Sequence, residues 1–228
     1  MSAIAIITAR GGSKRIPHKN RKLFLDRPII CYSISAALES GIFDEVMVST
    51  DDEEIAKIAI EAGANVPFMR SDKTSGDYAT TDEVLEEVLK EYEAIGKSFD
   101  YMACLYPTDP FITPERLQEA FQKLVQVGAA QLMPITSFSF PPQRGVIKQG
   151  ERVFYREPEN ALKRSQDLEK IYHDCGQFYF YDVKKFIDKN INHDEDMTFL
   201  EISELEVQDI DNETDWKLAE LKYKLLHG

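Results

Sequence analysis

Ala3-Ile4-Ala5-Ile6-Ile7-Thr8-Ala9-Arg10-Gly11-Gly12-Ser13-Lys14-Arg15 starts as an apolar run and ends on two glycines among cations. The run Ala3–Thr8 reads as a strand buried on both faces, the pattern of a parallel sheet. Beyond it, helical and strand patterns alternate. Pro28 opens a helix over Ile29–Glu39, with Gly41 just past its end. Glu45–Ser49 is the next strand. Asp51 or Asp52 caps a helix that runs to Ala62 and stops at Gly63. Val66–Met69 reads as a short strand. Thr80–Ile95 is a helix with Val84, Leu85, Val88 and Leu89 near a 3.6-residue period. Tyr101–Tyr106 is a strand, Pro114–Val127 a helix capped by Thr113, and Leu132–Ile135 a further strand. Alternating strands and helices predict an α/β fold, a mostly parallel sheet with helices on both faces.

The rhythm breaks at Phe138. Gly145–Lys148 and Arg152–Tyr155 read as a hairpin turning at Gln149-Gly150. Polar, irregular sequence then runs to Lys170. Gln177–Tyr181 restores a strand, Val207–Ile210 is a short one, and Asp215–Leu226 is a terminal helix. The expectation is one α/β domain over 1–137 and 171–228, with a small insertion at 138–170.

The chain has 228 residues, 43% of them hydrophobic, and a formal net charge of -13. Such a length buries roughly 70% of the unfolded surface. The acidic balance argues against nucleic acid and anionic membranes as partners. Cys31, Cys104 and Cys175 are too few and too scattered for a disulfide framework or a zinc site, so a cytoplasmic location is expected. No apolar run reaches membrane-spanning length. The N-terminus has no basic stretch ahead of its apolar run, so a signal peptide is not expected.

Against that charge, residues 1–25 contain no Asp or Glu, where an even spread would put roughly four. The same stretch holds Arg10, Lys14, Arg15, His18, Lys19, Arg21 and Lys22. In α/β sheets, ligands sit at the carboxyl ends of strands. Glycines there let backbone N–H groups approach an anion, and Lys and Arg neutralise a polyphosphate. Neither GxxxxGK[ST] nor GxGxxG is present, which argues against a P-loop and a dinucleotide site. Asp209-Ile210-Asp211 would put two carboxylates on one side of a strand, suited to Mg2+ held jointly with substrate phosphates. Leu105-Tyr106-Pro107-Thr108-Asp109-Pro110-Phe111 makes a stiff turn at a strand's carboxyl end. Arg164-Ser165-Gln166-Asp167-Leu168 and Tyr172–Tyr179 place amides, hydroxyls and a guanidinium beside aromatics, a lining for an acidic, polyhydroxylated ligand. His173 beside Asp174 reads as structural.

The segment Ile6–Asn20 resembles the opening of the acidic-sugar cytidylyltransferases, enzymes making CMP-sialic acid, CMP-Kdo, CMP-legionaminic acid and CMP-pseudaminic acid. Ser49-Thr50-Asp51, Arg70-Ser71 and Asp209-x-Asp211 recur in register, so the resemblance spans the chain. Tyr106 stands where the sialic acid branch has Gln. Cys104–Thr108, Arg164–Glu169 and Tyr172–Tyr179 are similar to the pseudaminic acid branch, from which Asp109 departs.

The resemblance implies a Rossmann-like fold whose insertion makes a homodimer contact. It implies transfer of CMP from CTP to a nine-carbon acidic sugar, with Mg2+ on Asp209 and Asp211. Nucleotide contacts would come from Ala9, Arg10, Gly11, Gly12, Ser13, Lys14, Lys19, Asn20, Arg70, Ser71 and Thr81. Arg10, Lys19 and Asp211 would be catalytic. Tyr106, Gln143, Arg144, Arg164, Gln166, Gln177 and Tyr179 would meet the sugar. Rival readings are the same chemistry on N-acetylneuraminate, legionaminate or Kdo, another nucleotide-sugar pyrophosphorylase, and a non-catalytic nucleotide sensor.

Overall fold

A computed structural model describes residues 1–188 and 195–228. β1 (Ala3–Thr8) lies in the sheet between β4 (Glu45–Ser49) and β5 (Tyr101–Leu105), and its side chains from Ala3 to Ile7 are wholly buried. A small hairpin comes next, β2 (Leu23–Phe24) against β3 (Arg27–Pro28). α1 (Ile30–Ser40) ends at Gly41, whose φ of 64° is the left-handed cap that glycine adopts without strain. β4 (Glu45–Ser49) leads to α2 (Glu53–Glu61), where Asp52 accepts from the amides of Glu54 and Ile55. Then come α3 (Asp72–Ser75), α4 (Thr81–Ala94), β5 (Tyr101–Leu105), α5 (Pro114–Val127) and β6 (Gln131–Ser137). β7 (Val146–Gln149) and β8 (Arg152–Tyr155) form the insertion's hairpin. β9 (Tyr172–Asp174), β10 (Phe178–Asp182), α6 (Val183–Ile187), β11 (Met197–Glu201) and α7 (Glu213–His227) complete the chain.

The main sheet runs β11-β6-β10-β5-β1-β4, with β9 added on β6. β1, β4 and β5 are mutually parallel, as are β6 and β11. β10 lies antiparallel between β5 and β6. The expected mostly parallel α/β sheet is therefore present, with β9 and β10 reversed.

Period-two alternation divides the core. Ile7, Val48, Leu105, Phe178 and Phe180 face α1, α2 and α5. Ile4, Ile6, Met47, Cys104, Tyr179 and Tyr181 face α4 and α6. A third cluster joins distant parts of the chain: Ile16 and Phe24 pack with Tyr32, Phe111, Ile210 and Trp216. That cluster pins the basic loop against the segment leading into α7.

Two predicted strands are absent. Val66–Met69 makes no ladder; only Asn65 bridges to Met47. Pro67 has no N–H to donate there. Val207–Ile210 comes after a 3-10 turn and lacks a strand partner. Its alternation survives as burial: Ile210 is buried while Asp209 is exposed and Asp211 half-buried. The two aspartates are thus not held on one face of a strand.

Candidate active site

The carboxyl ends of β1 and β5 open on one cavity of about 640 Å3. Arg10, Lys14, Arg15 and Lys19 converge on it, with Gly12, Ser13 and Asn20 from the same loop. Asn20 fixes the loop by donating to the Arg10 carbonyl at 2.8 Å. Gly11 lies against α2: a Cβ there would come within 2.9 Å of Asp52. Its amide donates to Asp51 at 2.8 Å and is not free for an anion, unlike the donor role expected of it. Ala9 is buried in the core, its amide bonded to the Ser49 carbonyl.

Arg70 lines the floor. It is nearly buried, with Nε on the Ser49 hydroxyl at 2.9 Å and Nη2 on the Ser49 carbonyl at 2.6 Å. Burial lowers its pKa, offset by Asp51 and Glu87. Ser71 is directed elsewhere: its amide and hydroxyl both go to Glu87. Thr81 and Tyr106 also line the cavity. Tyr106 stacks edge-on with Tyr179 at 5.6 Å between centroids. Burial raises the Tyr106 phenol, and a Thr81 hydrogen bond offsets this.

Lys19 sits where the basic loop meets the aspartates. Burial lowers its pKa, and Asp209 and Asp211 act against that. Arg15 donates to Asp211 at 2.5 Å across 196 residues of chain. The Ile16–Ile210 cluster makes that meeting possible. The arrangement is a cationic, partly dry cup with carboxylates at one rim, able to hold a polyphosphate and its counter-ion.

Residues 4–206 match the family model described as Cytidylyltransferase. The chain is 38% identical to the Pseudaminic acid cytidylyltransferase of Campylobacter jejuni, covering 100% of this chain and 98% of that one. The chain belongs to the cytidylyltransferase family. It is also 33% identical to the CMP-N,N'-diacetyllegionaminic acid synthase of Legionella pneumophila, over 96% of this chain and 95% of the relative. The fold is that of a solved CMP:2-keto-3-deoxy-manno-octonic acid synthetase complexed with CTP. The TM-score is 0.72 at 18% identity, over 100% of this chain and 99% of that one.

This cytidylyltransferase does not gather its expected sugar residues around the 640 Å3 cavity. Gln177 is buried, its amide donating to the Glu206 carbonyl at 2.6 Å. Tyr179 is nearly buried and donates to Asp174 at 2.6 Å. Gln143 donates to the Glu169 carbonyl. Arg144, Arg164 and Gln166 are on the exposed insertion, with Arg164 doubly bonded to Asp167. Of that set, Tyr106 alone lines the 640 Å3 cavity. A second cavity of about 460 Å3 is lined by Thr136, His173, Asp174, Gly176, Gln208 and Asp209, among others. His173 on that wall is bonded to the Asp174 carbonyl and lies 4.7 Å from the Phe138 ring.

Asp109 is buried beneath the first cavity. It accepts from the Phe111 amide at 2.9 Å. Burial pushes its carboxyl up to about 7, with Asp209 adding to the shift and Phe111, Gln177 and Lys19 opposing it. It is a buried group that holds the turn after β5 through the Phe111 amide. Residues missed by sequence reasoning include Thr74, Asp77 and Thr80, all on the cavity wall, whereas Thr8 and Thr108 lie at the strand ends expected to hold a ligand. Asp77 carries no such signal.

The carboxylates fit Mg2+ only in part. Among the described residues, no group of three or more His, Cys, Asp or Glu side chains is gathered as a metal cage. Asp211 lines the first cavity and Asp209 the second, and both act on Lys19. Two carboxylates suit Mg2+ when substrate phosphates complete the shell.

Proposed function

We propose that this cytidylyltransferase transfers CMP from CTP to the anomeric hydroxyl of pseudaminic acid. The observation that carries it is the convergence of Arg10, Lys14, Arg15 and Lys19 on one cavity, in a chain 38% identical over its whole length to a Pseudaminic acid cytidylyltransferase. The sugar oxygen forms a bond to the α-phosphorus, the bond from that phosphorus to the bridging α–β oxygen breaks, and pyrophosphate leaves.

Arg10, Lys14 and Lys19 hold the triphosphate and neutralise the charge that builds on pyrophosphate. Gly12, Ser13 and Asn20 shape the loop, and Arg70 and Thr81 lie toward base and ribose. Asp209 and Asp211 would hold Mg2+ together with the phosphates, and bound there it supplies Lewis acidity and charge neutralisation. Arg15 must release Asp211 for that. Asp211 also takes up the proton of the attacking hydroxyl.

Among the described residues, no helix is long and apolar enough to cross a membrane. Cys31, Cys104 and Cys175 are all free thiols, which supports a reducing compartment, the cytoplasm. The 138–170 insertion is read as a dimerisation lobe of a domain built from 1–137 and 171–228. Its hairpin exposes Val146, Ile147, Val153 and Phe154, and apolar surface of that kind marks an interface. In a homodimer the lobe's Arg144, Arg164 and Gln166 would be carried toward a second copy's sugar site. Light scattering showing only monomer would overturn this.

The deciding experiment supplies CTP, Mg2+ and a panel of acidic sugars, with mass detection of product. CMP-pseudaminate as the preferred product is expected. Preference for legionaminate, N-acetylneuraminate or Kdo would reassign the sugar. Pyrophosphate from no sugar in the panel would leave a nucleotide sensor.

A further inference from the structure

The cations that would grip the phosphates are already bridged from within. Arg10 Nη1 donates to Asp77 Oδ1 at 2.9 Å, and Lys14 Nζ bonds the other oxygen of the same carboxylate. Asp77 is more than sixty residues away in the chain and lines the same cavity. One carboxylate spanning two cations reproduces the way two phosphate oxygens would meet them. Lys14 and then Arg10 hold the Asp77 carboxyl below the usual range.

The loop that carries Asp77 is fixed at both ends and loose between them. At its start Glu87 takes the Ser71 amide and hydroxyl and the Thr74 hydroxyl. At its end Thr80 and Glu83 form a capping box on α4. Beyond Ser75, whose amide bonds the Ser71 carbonyl, the backbone has one weak bond of its own, from the Ala79 amide to the Gly76 carbonyl at 3.3 Å, and Arg10 Nη1 reaches that same carbonyl at 3.4 Å. Tyr78 is 99% exposed. Asp77 is thus held chiefly by the two cations, through solvent-exposed pairs of the kind that contribute little to stability. A contact that weak orders two long side chains and still yields to a ligand of several charges.

We propose that Asp77 is an internal stand-in for polyphosphate: it keeps Arg10 and Lys14 paired in the free enzyme, is displaced by the incoming triphosphate, and re-pairs with them as pyrophosphate departs. This rests on the nucleotide reading of the cavity. Asp77→Asn keeps the side chain's shape and removes its charge. Calorimetric titration at low salt should show CTP and pyrophosphate each binding at least threefold more tightly to Asp77→Asn than to the wild type. The gain should shrink as salt screens the site. CMP, which lacks the β- and γ-phosphates, should bind within twofold of wild type, and pyrophosphate should become a stronger product inhibitor. Asp77→Ala should show the same tightening if the Asn variant is poorly folded, and Asp77→Glu should restore wild-type affinity. Unchanged or weaker binding of CTP and pyrophosphate to both neutral variants would overturn the proposal. Failure of the wild type itself to bind either ligand would instead overturn the nucleotide reading.

Discussion

The basic loop at residues 10–20 and the insertion at 138–170 both carry cations, and they use them in opposite ways. In the loop, Arg10, Lys14 and Arg15 meet carboxylates 67, 63 and 196 residues away. In the 138–170 segment, Arg156 pairs with Glu157 and Arg164 with Asp167, near neighbours in the chain, while Lys170 at its end reaches Glu201. The loop is positioned by global packing, through β1 and the Ile16–Ile210 cluster. The hairpin β7–β8 has every residue exposed and pairs with no other strand. A lone two-stranded hairpin is at best marginal in water. The cavity proposed for the nucleotide is therefore lined by residues that one chain packs together, while the 138–170 segment carries apolar and cationic groups that one chain leaves uncovered.

If that contrast holds, the largest losses come from the half already assembled. Asp211→Asn should lower kcat on the order of a thousandfold while CTP still binds, the magnitude seen when charge-stabilising groups are removed. Near-normal turnover would remove Asp211 from the chemistry. Arg10→Ala should cost about a hundredfold in kcat/KM, or about 2.7 kcal/mol. A loss smaller than threefold would contradict the loop's role in gripping phosphate.

Asp109 tests how the loop is supported from below. Its ordinary value is 3.8, and in the folded chain it stands near 7. Over that window the folded chain keeps a proton that the unfolded chain has released. Stability therefore falls as pH rises from about 4 to about 7 and stays low above that. Asp109→Asn keeps an acceptor for the Phe111 amide and cannot ionise. Between pH 5 and 8 the wild type should lose about 2 kcal/mol relative to this variant. Parallel stability curves for the two proteins would show that Asp109 does not stay protonated beneath Lys19 and Asp209.

The same contrast explains what the sequence could reveal. Thr113 and Pro114 mark the start of α5 because cap and proline act locally, and Pro114–Val127 is found as expected. The strand at Phe178–Asp182 is legible from its aromatic alternation. Its reversal is not, because alternation carries no direction and the insertion before it is long enough for either sense. Arg10 and Lys19 are legible because a cation cluster after a buried strand has few other uses. Ser71 and Gln177 have suitable chemistry for a polar ligand, but packing turns them toward Glu87 and the Glu206 carbonyl. Asp77 is illegible because its meaning arises from tertiary contact with Arg10 and Lys14, and nothing in Ser75-Gly76-Asp77-Tyr78 announces that.

The smallest effect is expected in the half that one chain leaves open. Arg164 is exposed and bound to Asp167, and a surface pair of that kind contributes little to stability. Arg164→Ala should therefore leave the melting temperature nearly unchanged. If the lobe serves a sugar site across a dimer, the variant should raise KM for the acidic sugar by about tenfold, the cost of one lost charge-assisted hydrogen bond. KM for CTP should stay within twofold, since the nucleotide cavity does not include Arg164. The assay varies sugar at saturating CTP and then CTP at saturating sugar. Equal changes in both constants would mean that the lobe and the loop are not separate halves. No change in either would take Arg164 out of the sugar site and leave the lobe as a contact surface between subunits.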